Sequence, residues 1–360
     1  MTTVGMRNTY VDYLLSTEGH ISATDLSVAV EGKYSHDQIT RLLVSGAVND
    51  KTIYLKGKGF IKNKGIKGTV TLSIDDSVVP KPHMQFSNMV NWHYDDAKRR
   101  CVKGINFISA LWSDDQVNVP LSLQVVEKEL RYNENKQQYR WKCLKNKNDL
   151  MRSMVQRLTR SKEVDYVLAD SWYSSKKNMN YVVEACETNF IMSVRCNRAV
   201  TRNEKDAQSG KFRPLRELKL GKGAVKLYLK GVNFPVLVVK QVYKNADGSS
   251  STLYLATSDL ELSAEQILQL YKRRWKVEEY HKSMKNNCSL GKCQAPSLTS
   301  QQSHFYLAAL AFLLLEKTKV KEDHNHFALK KQLNLLTIKY GMKVIKQYLH
   351  SKSKFIHNAA

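Results

Sequence analysis

The chain has 360 residues, enough for one large or two to three ordinary domains, and 42% of them are hydrophobic, which allows a real core and excludes global disorder. Its 57 Lys and Arg against 33 Asp and Glu give a formal charge of +24, distributed along the whole chain. A globular protein this basic meets a polyanion, nucleic acid being the commonest; anionic lipid, or charge that serves solubility alone, are the other readings. The six cysteines lack disulfide-framework spacing and read as reduced thiols of a cytosolic protein. His281, Cys288 and Cys293 can be drawn as part of a zinc site, but no C-x-x-C pair supports it. The N-terminus has no signal-peptide apolar region, and the most apolar stretch, 305–315, is too short to span a bilayer and reads as a buried helix.

Residues 1–65 read as a small, separate helical domain. A helix begins near 10–15, a second covers 21–30, and Ser35 caps a third whose apolar face is Ile39, Leu42 and Leu43. Two short helices around a Gly-containing turn suit a helix-turn-helix, which puts His36, Gln38, Thr40 and Arg41 near DNA; a plain packing module has the same pattern. The Lys- and Gly-rich stretch 56–67 reads as a flexible basic linker.

Residues 66–300 form the second predicted domain. Strands are expected at 69–74, 104–112 and 117–126, then a helix at 148–161, a strand at 164–169, a helix at 177–188 and a strand at 190–194. Strands in series followed by strand–helix alternation predict an α/β fold, a mixed sheet with helices on its faces. Residues 198–262 read as a β-rich insertion with a hairpin turn at Asp247-Gly248, and Ser263 caps a long helix running to about 287. Residues 301–360 are predicted to be a C-terminal helical region.

The 263–287 helix carries Tyr271, Arg274, Glu278 and Lys285, spaced Y-x2-R-x3-E-x6-K. At about 100° per residue these fall within an arc of roughly 60°. A carboxylate there suits a metal ion, and the cations suit phosphates; a solvated charged face gives the same stripe. The predicted strands end at Asp75-Asp76-Ser77 and at Asp170-Ser171. Strand-end aspartates plus a helix glutamate fit the oxygen ligands that hard divalent ions need at a phosphodiester, although each Asp-Ser alone also suits a turn cap. His83 and His93 read as loop histidines, the basic run Lys98, Arg99, Arg100 and Lys103 as phosphate contacts or solvated charge, and Trp172 and Trp275 as core packing or as platforms for an unpaired base.

Taken in order, these residues resemble the DDE transposases of bacterial insertion sequences that carry the Y-x2-R-x3-E-x6-K helix. The chain matches that signature at all four positions, and has the D-x-S/T strand (Asp75-Asp76-Ser77), the strand leading into Asp170-Ser171-Trp172-Tyr173, and Tyr254-Leu255-Ala256-Thr257 ahead of the helix. The resemblance covers roughly residues 65–290 and implies an RNase H-like catalytic domain with a β-rich insertion. It implies that Asp75, Asp170 and Glu278 are catalytic and bind two Mg²⁺ (or Mn²⁺) ions, with Asp76 the alternative first ligand. It further implies nicking at terminal inverted repeats and joining of 3′ ends to target DNA. Arg274 and Lys285 would hold phosphates, Tyr271 would support strand positioning, and the N-terminal helices would recognise the repeats. The implied partners are double-stranded transposon-end and target DNA, bound as a dimer or higher assembly, with no membrane, in a bacterial cytoplasm at the nucleoid. The other functions considered are a transposase-derived DNA-binding protein without cutting activity, and a metal-dependent nuclease that does not rejoin.

Overall fold

Three helices open the chain: α1 (Thr3–Ser16), α2 (Ala23–Ala29) and α3 (His36–Val44). The computed structural model describes residues 3–95, 99–221, 223–244, 247–322 and 324–357; Lys98 of the basic run lies outside them. The chain forms two compact units, one of Asp50–His281 and one of Met1–Asn49 with Lys282–Ala360. The break therefore falls at residue 49 instead of 65.

The Asp50–His281 unit begins with α4 (Asp50–Lys64). The predicted linker is thus helical. Ile53, Gly57 and Ile61 return to one face every four residues and are buried. Gly57 lets that face approach the sheet closely, since a Cβ there would stand 2.7 Å from Leu121 and 2.9 Å from the Pro120 carbonyl oxygen.

The strands and helices that follow are β1 (Thr71–Pro80), β2 (Val90–Asp95), β3 (Arg100–Ser113), β4 (Asn118–Val125), β5 (Lys128–Asn133), β6 (Gln138–Cys143), α5 (Lys147–Thr159), β7 (Tyr166–Ala169), α6 (Lys176–Asn180), β8 (Asn189–Val194), β9 (Ala199–Thr201), α7 (Glu204–Gln208), β10 (Arg213–Pro214), β11 (Val225–Leu229), β12 (Val236–Lys244), β13 (Ser250–Thr257), α8 (Ala264–Lys272) and α9 (Trp275–Asn287), which crosses the boundary between the units. One large mixed sheet has the order β10-β9-β11-β12-β13-β8-β7-β1-β3-β2, with β4 also on β3. β1, β7 and β8 are parallel and the remaining pairs antiparallel. β3 is buried continuously from Gly104 to Ser113, as a strand covered on both faces must be. This mixed order, with β9–β13 as the predicted β-rich segment, is consistent with an RNase H-like domain.

The sheet corrects the position of the first aspartates. β1 does not end at Ile74; its antiparallel ladder with β3 continues through Asp75↔Ser109 and Asp76↔Ile108 to Pro80. Its parallel pairing with β7 stops at Ser73↔Leu168. Asp75 and Asp76 are mid-strand, but they sit where β1 outruns its parallel neighbour, in the crevice beyond strand C-termini that open α/β sheets use for ligands.

The chain ends in α10 (Leu298–Glu322) and α11 (His326–His357). In the second unit α1 packs on α10 and α11, and α3 packs on α10. Tyr10 shares a hydrogen bond with His304 Nδ1 (3.0 Å), and Lys330 Nζ donates to the Leu15 carbonyl oxygen (2.7 Å). The N-terminal helices are therefore not a separate domain. α2 and α3 have seven and nine residues, too short to be stable without a packed partner, and the apolar length of α10 supplies it. No helix among the described residues is long and apolar enough to cross a membrane.

Candidate active site

The predicted signature helix is two helices. After Tyr271 the backbone tightens, with Arg273 N–H donating to Leu270 O and Arg274 N–H to Tyr271 O, both at 3.0 Å. These i→i−3 bonds end α8 and set a turn before α9. The Arg273 side chain reaches away to the Thr69 carbonyl oxygen (2.6 Å) and to Asp115. Tyr271 thus belongs to α8, where it is buried with Leu168, Ile191 and Ile267, and its hydroxyl donates to Ala169 O at 3.4 Å, one residue before Asp170. Arg274 and Glu278 stay together across the first turn of α9, with Arg274 Nη2 donating to Glu278 Oε1 at 2.6 Å. Lys285 lies in the last turn of α9, past residue 281.

Arg274 connects the glutamate to the strand. Its Nη1 stands 3.9 Å from Asp75 Oδ2, and its guanidinium lies over the Trp275 ring, 5.0 Å from the centroid. It is buried, turned towards carboxylates instead of outward. Asp75 is half-buried and is pushed up to about 7, by desolvation first and by the charges of Asp76 and Asp170 next; Arg274 offsets part of this. Burial also raises Asp170, against the opposing pull of the Trp172 N–H, which donates to its Oδ1 at 2.9 Å, and of Arg274.

Asp76 has a different environment. Lys147 Nζ donates to both its oxygens at 2.8 Å, Tyr173 O–H donates at 2.7 Å, and Asn106 Nδ2 at 3.0 Å. Burial works against its charge, yet Lys147 and these hydrogen bonds outweigh it and hold the carboxyl below its usual range. Successive strand residues point to opposite faces. Asp75 lies opposite Ser109, whose hydroxyl shares a 2.7 Å hydrogen bond with His281 Nε2 on α9. Asp75 thus shares a face with α9, and Asp76 turns to α5 and Tyr173.

Trp172 and Trp275 are 43% and 55% exposed, so neither packs in the core. Each is instead covered by a cation: Lys147 Nζ is 4.1 Å from the Trp172 ring centroid. His83 is in an exposed loop, whereas His93 belongs to β2, half buried, and is pushed down to about 4 by burial and then by Lys128 and Lys147. His281 is engaged by Ser109, and all six cysteines are free thiols. Among the described residues no group of three His, Cys, Asp or Glu side chains is drawn together as a metal cage.

In the helical unit the turn between α2 and α3 passes through left-handed Glu31 and Gly32. Ser35 and Gln38 close a reciprocal capping box on α3, so the Gln38 side chain is spent on Ser35 N–H (2.9 Å). His36, Thr40 and Arg41 are exposed opposite buried Ile39, Leu42 and Leu43.

Reasoning from sequence missed Lys147, Asn106, Tyr173 and the Ser109–His281 pair. Tyr173 stood within the Asp170 motif, but nothing local marks Lys147 or Asn106; they reach the site through the sheet's register. The family model described as transposase DDE domain matches residues 136–314, and the one described as DDE superfamily endonuclease matches residues 5–222, more than half of the chain. No curated protein matches it.

Proposed function

The chain belongs to the DDE superfamily of transposases and endonucleases, and from that premise we propose that it nicks DNA at transposon terminal repeats and joins the freed 3′ ends to target DNA. The observation that carries this reading is Asp75: a half-buried carboxyl, linked by one arginine to Glu278 and raised to about 7 under the influence of Asp76 and Asp170.

Asp75, Asp170 and Glu278 offer only hard oxygen donors, the kind that Mg²⁺ or Mn²⁺ prefers. Asp75, Asp170 and Glu278 are the residues that would hold the metal, Asp76 being already satisfied by Lys147. When bound, divalent ions activate the attacking oxygen and stabilise the leaving one. The chain's own residues do the rest. Lys147 and Tyr173 fix Asp76 and so brace β1, Tyr271 braces the strand end before Asp170, and Arg274 holds Glu278 beside Asp75. Arg274 holds only Oε1 of Glu278, so Oε2 would be open to a metal, and the guanidinium would lie where it could also meet a phosphate oxygen. The proposed role of Lys285 is a phosphate contact further along α9. The exposed side of α3, His36, Thr40 and Arg41, is the proposed reader of the terminal repeats, and joining two ends calls for at least two copies.

The test is an assay with duplex carrying the element's ends, with Mg²⁺ and a target plasmid. Asp170→Ala and Glu278→Ala should each abolish nicking and keep DNA binding close to wild type. Asp75→Asn should do the same, and Asp76→Asn should be milder. Nicks without joined products would reduce the activity to that of a nuclease; loss of activity in Asp76→Asn alone would move the first ligand to Asp76.

A further inference from the structure

β5 and β6 form a sheet of their own, a two-stranded antiparallel ribbon that among the described residues pairs with no other strand. Isolated hairpins are marginal in water, so what this one presents matters. Its register sets Leu130 opposite Trp141 and Tyr132 opposite Tyr139 on one face, the two tyrosine rings meeting edge to face at 5.2 Å. On the other face Arg131 lies directly opposite Arg140.

Like charges directly opposite one another destabilise a strand pair. Glu129 pairs with Arg131. Arg140 Nη2 donates to the Gln138 amide oxygen (2.9 Å), but among the described residues no carboxylate pairs with it. Both arginines are exposed, and residues 128–145 hold six Lys and Arg against two Glu. The ribbon's face is therefore built to receive negative charge from outside.

Its root is firm. Lys128 Nζ donates to the Trp92 carbonyl oxygen (2.9 Å), and Leu144 N–H donates to Glu127 O (2.9 Å). The ribbon ends at Cys143, and four residues later Lys147 grips Asp76. The arm is thus rooted beside the acid cluster.

The geometry points to the β5–β6 ribbon as a DNA-gripping arm, with Arg131 and Arg140 taking backbone phosphates of a duplex next to the acid cluster. This rests on the DNA-cutting reading above. The major groove of B-DNA admits a two-stranded ribbon, so the arm fits a duplex in size as well as charge. A second copy of the chain, at +24, offers the arginine pair the wrong sign.

The experiment titrates a labelled 30-base-pair duplex with full-length protein at several salt concentrations. Arg131→Ala/Arg140→Ala should lower the slope of log K against log salt by about 2, since each phosphate contact contributes ~0.9. Its unfolding midpoint should equal or exceed the wild type, because the opposed charges are gone. Arg131→Lys/Arg140→Lys should keep the slope, and Arg140→Gln alone should lower it by about 1, a single-site version should the double variant not fold. An unchanged slope in a folded variant overturns the arm and leaves the cutting activity untouched; a wild-type protein that does not bind duplex overturns both. An unchanged slope with a lost oligomer assigns the ribbon to a second copy and overturns the proposal.

Discussion

Asp75 makes stability and chemistry pull in opposite directions. Its carboxyl holds a proton up to about pH 7 in the fold, against an ordinary value of 3.8. Between these values the folded chain binds a proton that the unfolded chain has lost, so stability contributed at this site declines as pH rises from about 4 to 7. Above pH 7 the half-buried charge costs up to about 4 kcal/mol, the upper bound that this shift sets. Asp75→Asn removes that charge. In chelator-treated protein it should raise the melting temperature at pH 8 by about 5 °C and give little gain at pH 4.5. Melts that differ equally at both values would mean that the group does not titrate there. Asp76, whose charge Lys147 and Tyr173 stabilise, should show the reverse trend.

At the element scale, α4 shows how a helix can be mistaken for a linker. Its glycines and lysines suggest a tether, while the burial period of Ile53, Gly57 and Ile61 is helical. Two of its glycines make opposite predictions. Gly57→Val should cost about 1–3 kcal/mol by chemical denaturation, because the new Cβ meets Leu121 and the Pro120 carbonyl. Gly59→Ala meets nothing within 4 Å and should stabilise by roughly 0.5–1 kcal/mol. Equal effects would break the α4–β4 packing argument. The same contrast between local and distant signals explains what was legible in the sequence. Asp75, Asp170 and Glu278 stand out as candidates because strand, turn and helix patterns surround each. The Y-x2-R-x3-E-x6-K spacing suggested a single stripe, but it could not show the break at Arg273, whose partners Thr69 and Asp115 lie some 150 to 200 residues earlier in sequence. Lys147 and Asn106 were illegible for the same reason: their meaning depends on which residue of β1 the sheet brings to them. The β2 strand was missed because its alternation is short and polar, and the β5–β6 ribbon because its aromatic face is exposed.

For the whole molecule, the N-terminal helices and α10 share one core, so removing residues 1–49 does more than delete a reader of DNA. Loss of residues 1–49 uncovers α10 along the side on which α1 and α3 pack. In limited proteolysis such a truncation should be cut rapidly within 298–357 and survive as a fragment near 50–281. Arg41→Ala with Thr40→Ala is the cleaner change, since both side chains are exposed. It should preserve helicity and reduce preference for element ends over random duplex, measured by competition. Retained preference would return α3 to a purely packing role.

The division of the chain also imposes an order on its synthesis. The helical unit is interrupted after Asn49 and resumes at Lys282. At ribosomal rates of about 5–20 residues per second, the N-terminal helices must wait roughly 10–50 s for the segment that completes their core. The whole of Asp50–His281 emerges in that interval as an uninterrupted stretch, with every strand of the sheet already present. On the nascent chain, then, the acid-bearing strands can assemble while α1 to α3 still lack their floor. During those seconds α1 to α3 are the segment most in need of protection by a chaperone.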